Sequence, residues 1–281
     1  MPNASDVLQQ LDRSEAAALW PVPGPEDHKY TRGVVGVVAG CDAFPGAAVL
    51  SCTAAVEAGA GMVRYLGPAT PTNLALQALP EIVPGSGQVQ AWLLGPGIDP
   101  RDRSEGGRDQ LRSIERALSS DEACVVDAGA LDVLSGFRQA PTLLTPHAGE
   151  LAALLSRWTG KQVSRQDVQA DRSGMARRAA QLTGATVLLK GADTLVVTAN
   201  ANEPPRVERG APAWLATAGS GDVLAGLCGM LAAAGLPMRN VGALAAMVHG
   251  EAAHRANPGG PVRALAVAHA IPGAVAALLS A

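Results

Sequence analysis

Short apolar runs recur along the chain from residue 33 onward, over 34–38, 62–66, 91–94, 124–126, 142–144, 186–189 and 195–197. Each is strand-sized. Several lack polar alternation, which is how strands buried on both faces read, and longer Ala- and Leu-rich segments lie between many of them. The pattern predicts a mostly parallel sheet with helices on both sides. Beyond Trp214 the periodicity becomes helical, over about 221–235, 240–256 and 264–280. Residues 1–32 differ, being polar and Pro-rich around WPVPGPEDHKY. They read as an N-terminal segment or a flap over the first strand, and 33–281, without repeats or a low-complexity linker, as one domain.

The ends of the predicted strands carry most of the chemistry. In open parallel sheets, ligands bind beyond the carboxyl ends of the strands. Those ends read Ala39-Gly40, Gly95-Pro96-Gly97, Asp127-Ala128-Gly129, Thr145-Pro146-His147 and Lys190-Gly191. Turn formation accounts for the glycines and prolines. It accounts less readily for Asp127, His147 and Lys190.

Composition narrows the function classes. Of 281 residues, 48% are hydrophobic and 17% charged, with a net charge of -3, which excludes a disordered chain and a basic nucleic-acid-binding field. With 2 Phe, 2 Tyr and 4 Trp there are few aromatic platforms for single strands. Cys41, Cys52, Cys124 and Cys228 show neither a CxxC pair nor zinc-type spacing and read as reduced thiols. The longest apolar stretch, 224–236, is interrupted by glycine and falls short of the roughly 20 residues that span a bilayer. The N-terminus lacks the basic and apolar regions of a signal peptide. A cytoplasmic protein with neither membrane nor nucleic-acid partner is expected.

Four segments are candidates for a site. Ala218-Gly219-Ser220-Gly221-Asp222 opens a helix in which Leu224, Leu227 and Leu231 recur at helical spacing. A Gly-rich turn there leaves backbone N–H groups free at the positive end of the helix dipole, which suits phosphate; alternatively Ser220 or Asp222 is an ordinary N-cap. Lys190-Gly191-Ala192-Asp193-Thr194 is either a hairpin turn with a solvated lysine or a cation for a phosphate. Thr145-Pro146-His147-Ala148-Gly149-Glu150 has helix-start signals, with His147 and Glu150 on one face. As a metal pair these two are weak, because magnesium prefers oxygen ligands. The loop from Gly40 to Ala48 is built of small residues that admit a flat ligand or simply pack a helix tightly. His28, His249, His254, His269 and Glu251 read as structural.

In order, the motifs GxxxxPGAA, GPGI, VVDAGAL, TPHAGE, KGADT, AGSGDVLAG and HGEAA resemble the ADP-dependent NAD(P)H-hydrate dehydratase family of the ribokinase-like superfamily, from about Lys29 to Ala281. The resemblance implies a ribokinase-like three-layer α/β/α sandwich with a mostly parallel central sheet. It also implies a hydro-lyase that returns the 6S hydrates of NADH and NADPH to NADH and NADPH, converting ADP to AMP and phosphate. Asp222 would then be the catalytic base, and Ala47, Gly97, His147 and Asp222 would hold the hydrate. Lys190, Gly191, Ala192, Asp193, Thr194 and Gly221 would hold ADP or ATP. Magnesium is implied as cofactor without nameable ligands, and a homotetramer as the assembly. Cys41 stands where serine is common in the family. Many bacterial members carry an epimerase domain ahead of this one, whereas only about 30 residues precede it here; a separate epimerase, or spontaneous exchange, is expected to supply the S form. The nearest alternative is a ribokinase-like kinase for a thiazole or hydroxymethylpyrimidine alcohol, but those show Asn-x-x-Glu where this chain has His147-x-x-Glu150. A regulatory nucleotide-binding module is disfavoured by a carboxylate, Asp222, beside the anion site.

Overall fold

The computed structural model describes residues 8–280. In chain order the elements are α1 (Arg13–Leu19), β1 (Val34–Val38), α2 (Gly46–Glu57), β2 (Met62–Tyr65), α3 (Ala69–Ala78), β3 (Val83–Pro84), β4 (Ala91–Leu94) and α4 (Glu105–Leu118). There follow β5 (Ala123–Val126), α5 (Ala130–Val133), β6 (Thr142–Leu144), α6 (Ala148–Thr159), α7 (Arg165–Ala170), α8 (Arg172–Thr183), β7 (Thr186–Leu189), β8 (Thr194–Val197) and β9 (Arg206–Glu208). A 3-10 turn at Ala213–Leu215 leads into α9 (Ser220–Ala233), α10 (Met238–Ala256) and α11 (Ala264–Leu279).

The strands form one sheet in the order β3-β2-β1-β4-β5-β6-β7-β8-β9. Pairing is parallel from β3 through β7, and antiparallel for β7–β8 and β8–β9. Every residue of β1 is buried, as its unbroken apolar run predicts. Alternate residues serve opposite layers. Val35, Val37, Leu93, Val125 and Leu188 pack with the buried faces of α2, α9, α10 and α11, while Val38, Leu94, Val126, Leu144 and Leu189 pack with α4, α6 and α8. The result is a three-layer α/β/α sandwich. Small residues let the helices approach one another closely: a Cβ on Gly226 of α9 would lie 2.4 Å from the Ser51 carbonyl oxygen of α2.

Two strands escape the sequence reading. β3 and β9 hold only two and three residues, too few to show a period, and β9 reads Arg-Val-Glu although all three residues are buried. β9 is covered in part by the N-terminal segment. Gln9 forms a parallel bridge with Arg206, and Leu11, Ala16 and Trp20 join the core. The reading of the extreme N-terminus as lacking a signal sequence involves residues 1–7, which lie outside the described residues. Among the described residues no helix is long and apolar enough to cross a membrane.

Candidate active site

The parallel strands β1, β4, β5, β6 and β7 all finish on one edge of the sheet, so their following residues converge. Asp127, directly after β5, is buried, and Ala128 beside it has φ +43°, the one positive value on a non-glycine residue among those described. Asp127 Oδ1 accepts hydrogen bonds from Thr145 Oγ1 at 2.8 Å and from Lys190 Nζ at 2.8 Å. Lys190 Nζ also lies 3.8 Å from Glu150 Oε2. Burial alone would lower the lysine pKa, but the charges of Asp127 and Glu150 and the Asp127 hydrogen bond outweigh it, and the net direction is upward. The ammonium therefore stays charged. The hairpin expected at Lys190–Thr194 is present, but its lysine is an ion-pair member in the interior rather than a solvated turn residue.

The second component is the start of α9. Its N-cap is Gly219 at φ +84°, with no side-chain cap hydrogen bond, so neither Ser220 nor Asp222 caps the helix. A Cβ at Gly219 would also lie 2.4 Å from Leu50 Cδ1. The first-turn N–H groups have no intrahelical acceptor, which leaves an anion-binding surface. A Cβ at Gly221 would lie 3.5 Å from Lys190 Nζ, which places the ammonium against this turn. Asp222 sits in the same turn. Burial first, then the charge of Asp127, pushes its pKa up to about 6, against the opposing pull of Lys190.

His147 is the N-cap of α6. Its Nδ1 accepts from the Glu150 N–H at 3.0 Å, and Glu150 Oε2 accepts from the His147 N–H at 2.8 Å, a reciprocal capping box. Glu150 thus stands between the exposed imidazole and Lys190. Ala47 and Gly97 meet directly: a Cβ on Gly97, at φ +64°, would lie 2.5 Å from Ala47 Cβ. The Gly40 loop is held from behind, with Gln110 Nε2 donating to the Gly40 carbonyl and Tyr65 OH to the Ala39 carbonyl, each at 2.6 Å. Ser51 Oγ donates to the Asp222 carbonyl at 3.3 Å, tying α2 to the anion turn.

The remaining residues of KGADT are more peripheral. Gly191, Ala192 and Asp193 are exposed and Thr194 begins β8. The Asp193 carboxylate is engaged by Arg209 at 3.1 Å, while Arg172 braces the turn through the Asp193 carbonyl at 2.7 Å. In the sequence Asp127 stands out only as a carboxylate closing an apolar strand, and Thr145 only as part of a strand end; Arg172 carries no signal of its own.

The family model described as NAD(P)H-hydrate dehydratase matches residues 35–271. The chain belongs to the NAD(P)H-hydrate dehydratase family. The bifunctional NAD(P)H-hydrate repair enzyme Nnr of Mycobacterium tuberculosis is 44% identical over 246 residues, which cover 83% of this chain and 47% of that protein. The ADP-dependent (S)-NAD(P)H-hydrate dehydratase of Neisseria meningitidis is 35% identical over 246 residues, covering 81% of this chain and 78% of its own length. The chain thus spans about half the length of the bifunctional relatives it matches. The crystal structure of the ADP/ATP-dependent NAD(P)H-hydrate dehydratase from Bacillus subtilis, co-crystallised with ATP/Mg²⁺, aligns with a TM-score of 0.81 at 25% identity, covering 96% of this chain and 99% of that one. A ribokinase-like superfamily protein from Enterococcus faecalis shares the fold, with a TM-score of 0.83 at 19% identity over 98% of this chain and 97% of that one. The dehydratase family and the ribokinase-like fold therefore agree with the expectations drawn from the motifs.

Proposed function

We propose that this chain dehydrates the 6S hydrates of NADH and NADPH at the expense of ADP or ATP, the activity carried in the names of its relatives. The observation that carries this reading is the placement of Asp222, with a pKa near 6, in an anion-binding turn that faces a charged lysine. Asp222 accepts the proton of the C6 hydroxyl as that oxygen takes the terminal phosphoryl group of the nucleotide. Phosphate then leaves, pushed out by the ring nitrogen lone pair to give an iminium, and loss of the C5 proton to water re-forms the carbon–carbon double bond; AMP remains when the nucleotide is ADP. Phosphoryl transfer asks a protein mainly for positioning and charge neutralisation. Lys190 and the free N–H groups of the turn supply these at the phosphates, while Ala47, Gly97 and His147 flank the hydrate. Gly191 to Thr194, with Gly221, lie along the nucleotide.

The charge balance supports a divalent cation. Asp127, Glu150 and Asp222 surround one ammonium, so a polyphosphate entering here meets more carboxylate than it can tolerate unaided. Among the described residues no three His, Cys, Asp or Glu side chains form a metal cage. That fits magnesium, a hard ion that takes one or two carboxylates together with phosphate oxygens and water. Asp127 and Glu150 are the carboxylates that would hold it, and its contribution is to neutralise the transferring phosphoryl group. An epimerising activity on another domain or protein would convert the R hydrate.

The test is to mix the protein with S-NADPH hydrate, magnesium and ADP or ATP and follow the reduced-nicotinamide absorbance. Nucleotide-dependent recovery is expected. No recovery, with phosphate passing instead to a thiazole or pyrimidine alcohol, would make this a kinase on the same fold.

A further inference from the structure

The Gly40 loop leaves β1 through a glycine at φ +69° and brings Ala47 against Gly97. Glycine has the widest backbone freedom of any residue, so sterics alone do not set the direction of that exit. Tyr65 OH donates to the Ala39 carbonyl at 2.6 Å, and the Gly40 N–H donates to the Pro96 carbonyl at 2.7 Å. These are the two ends of one peptide plane, which is thereby held twice. The next plane, Gly40–Cys41, lies in no strand or helix. Its carbonyl accepts from Gln110 Nε2 at 2.6 Å, and its N–H donates to no group among the described residues, so Gln110 is the one hydrogen-bonded tie seen on it.

Gln110 lies in α4, 70 positions beyond Gly40, and is 3% exposed. It shares the buried face of that helix with Gly107, Ile114 and Ala117, where methionine would fill the same length without burying an amide. Gln110 and Tyr65 also border a cleft of about 650 Å³ between α4 and the β2–β3 edge of the sheet. Packing around the two donors is incomplete, so hydrogen bonds rather than close contact keep the carbonyls in place. Gly97 leaves no slack on its side: a Cβ there would lie 3.0 Å from the Phe44 carbonyl oxygen and 3.3 Å from Gly40 Cα. Rotating the Gly40–Cys41 plane therefore shifts the loop relative to Gly97.

We propose that Gln110 is a positioning residue for the hydrate: by holding the Gly40–Cys41 plane it sets the direction in which the loop leaves β1, and with it the seat of Ala47 against Gly97. This rests on the reading of Ala47 and Gly97 as flanking the hydrate and adds the side chain that fixes their spacing. The nucleotide side is held separately, through Asp127 on Lys190. Tyr65 serves as the internal control, because the plane it holds keeps its second tie when the hydroxyl is removed.

The test compares Gln110→Met, which keeps the length and removes the donor, with Tyr65→Phe, which removes only a hydroxyl. Four quantities are read on the full chain: amide hydrogen exchange over 41–47, KM and kcat for S-NADPH hydrate, ADP affinity by calorimetry, and the thermal midpoint. Gln110→Met is expected to speed exchange of the loop and to raise KM for the hydrate, each about 5-fold or more, the equivalent of one lost hydrogen bond, with ADP affinity within about 2-fold of the wild type. Tyr65→Phe should lower the midpoint yet leave exchange and KM within about 2-fold. Equal effects of the two variants on KM, or hydrate and ADP constants that move together with the midpoints, would overturn the proposal. Should Gln110→Met not fold, Gln110→Asn, whose amide falls one methylene short of Gly40, takes its place. Exchange is read on the protein alone: a wild type that leaves the hydrate untouched contradicts the proposed function, whereas a loop as protected in Gln110→Met as in the wild type contradicts this inference.

Discussion

Among the described residues, the charged groups at the strand ends and at the β9 edge differ in what they leave open. At the strand ends, Asp127, Glu150 and Asp222 gather around Lys190, which is fully paired with Asp127 yet faces a helix start with unsatisfied N–H groups. At the β9 edge, Arg206 pairs with Glu15 of α1, and Arg239 of α10 lies 3.3 Å from Glu203. Glu208 there is closed over by the N-terminal segment: burial, only partly offset by the Leu11 N–H and by Arg206, raises its pKa to about 7, and its Oε1 has no partner. Both groups hold perturbed carboxylates, so perturbation alone does not mark a site. The difference is that the first group converges with free backbone donors on a common opening, whereas the second ties an N-terminal segment to a sheet edge.

The largest effect separating the two is expected from Asp222→Asn. Loss of a general base should lower kcat by about 10²- to 10⁴-fold while ADP affinity, read by calorimetry, changes little; unchanged turnover would remove Asp222 from the chemistry. Lys190→Met comes next, because it strands Asp127 in the interior. A cost of about 3–5 kcal/mol in urea unfolding is expected, together with weaker ADP binding. An effect on stability without one on ADP would return Lys190 to a purely structural role.

Glu208→Gln probes the other group. A carboxyl whose folded pKa, about 7, lies above the ordinary 4.5 holds its proton more tightly when folded. The stability it contributes is complete below pH 4.5 and is lost as pH rises through 7. Glu208→Gln should therefore gain on the order of 2–3 kcal/mol over the wild type at pH 8, flatten the dependence between pH 5 and 8, and leave catalysis intact. A catalytic defect would mean the two regions are coupled. The smallest effect is expected from His147→Ala, which removes the α6 cap at about 1 kcal/mol and weakens the hydrate more than the nucleotide. The reverse preference would move His147 to the nucleotide side.

The same contrast explains what was legible in the chain. β1 reads correctly because a strand buried on both faces is apolar without interruption, and the Gly-rich start of α9 is visible because its turn is local. β9 is not legible: its arginine and glutamate are interior only because residues 8–20 lie across them. Whether Gly219 or a side chain capped α9 depended on a backbone angle, and the positive φ at Gly219 decides it. The partner of Lys190 lies 63 positions away, so the sequence could suggest a cation near phosphate but not that Asp127 holds it.

On the proposed function, Asp222 works as a base near pH 6 because burial and Asp127 raise its pKa. The most direct measurement is kcat/KM against pH for the wild type and for Asp127→Asn. An ascending limb close to pH 6 is expected in the wild type, displaced to lower pH once the neighbouring negative charge is gone. A limb that stays in place, or no ascending limb between pH 5 and 7, would contradict it.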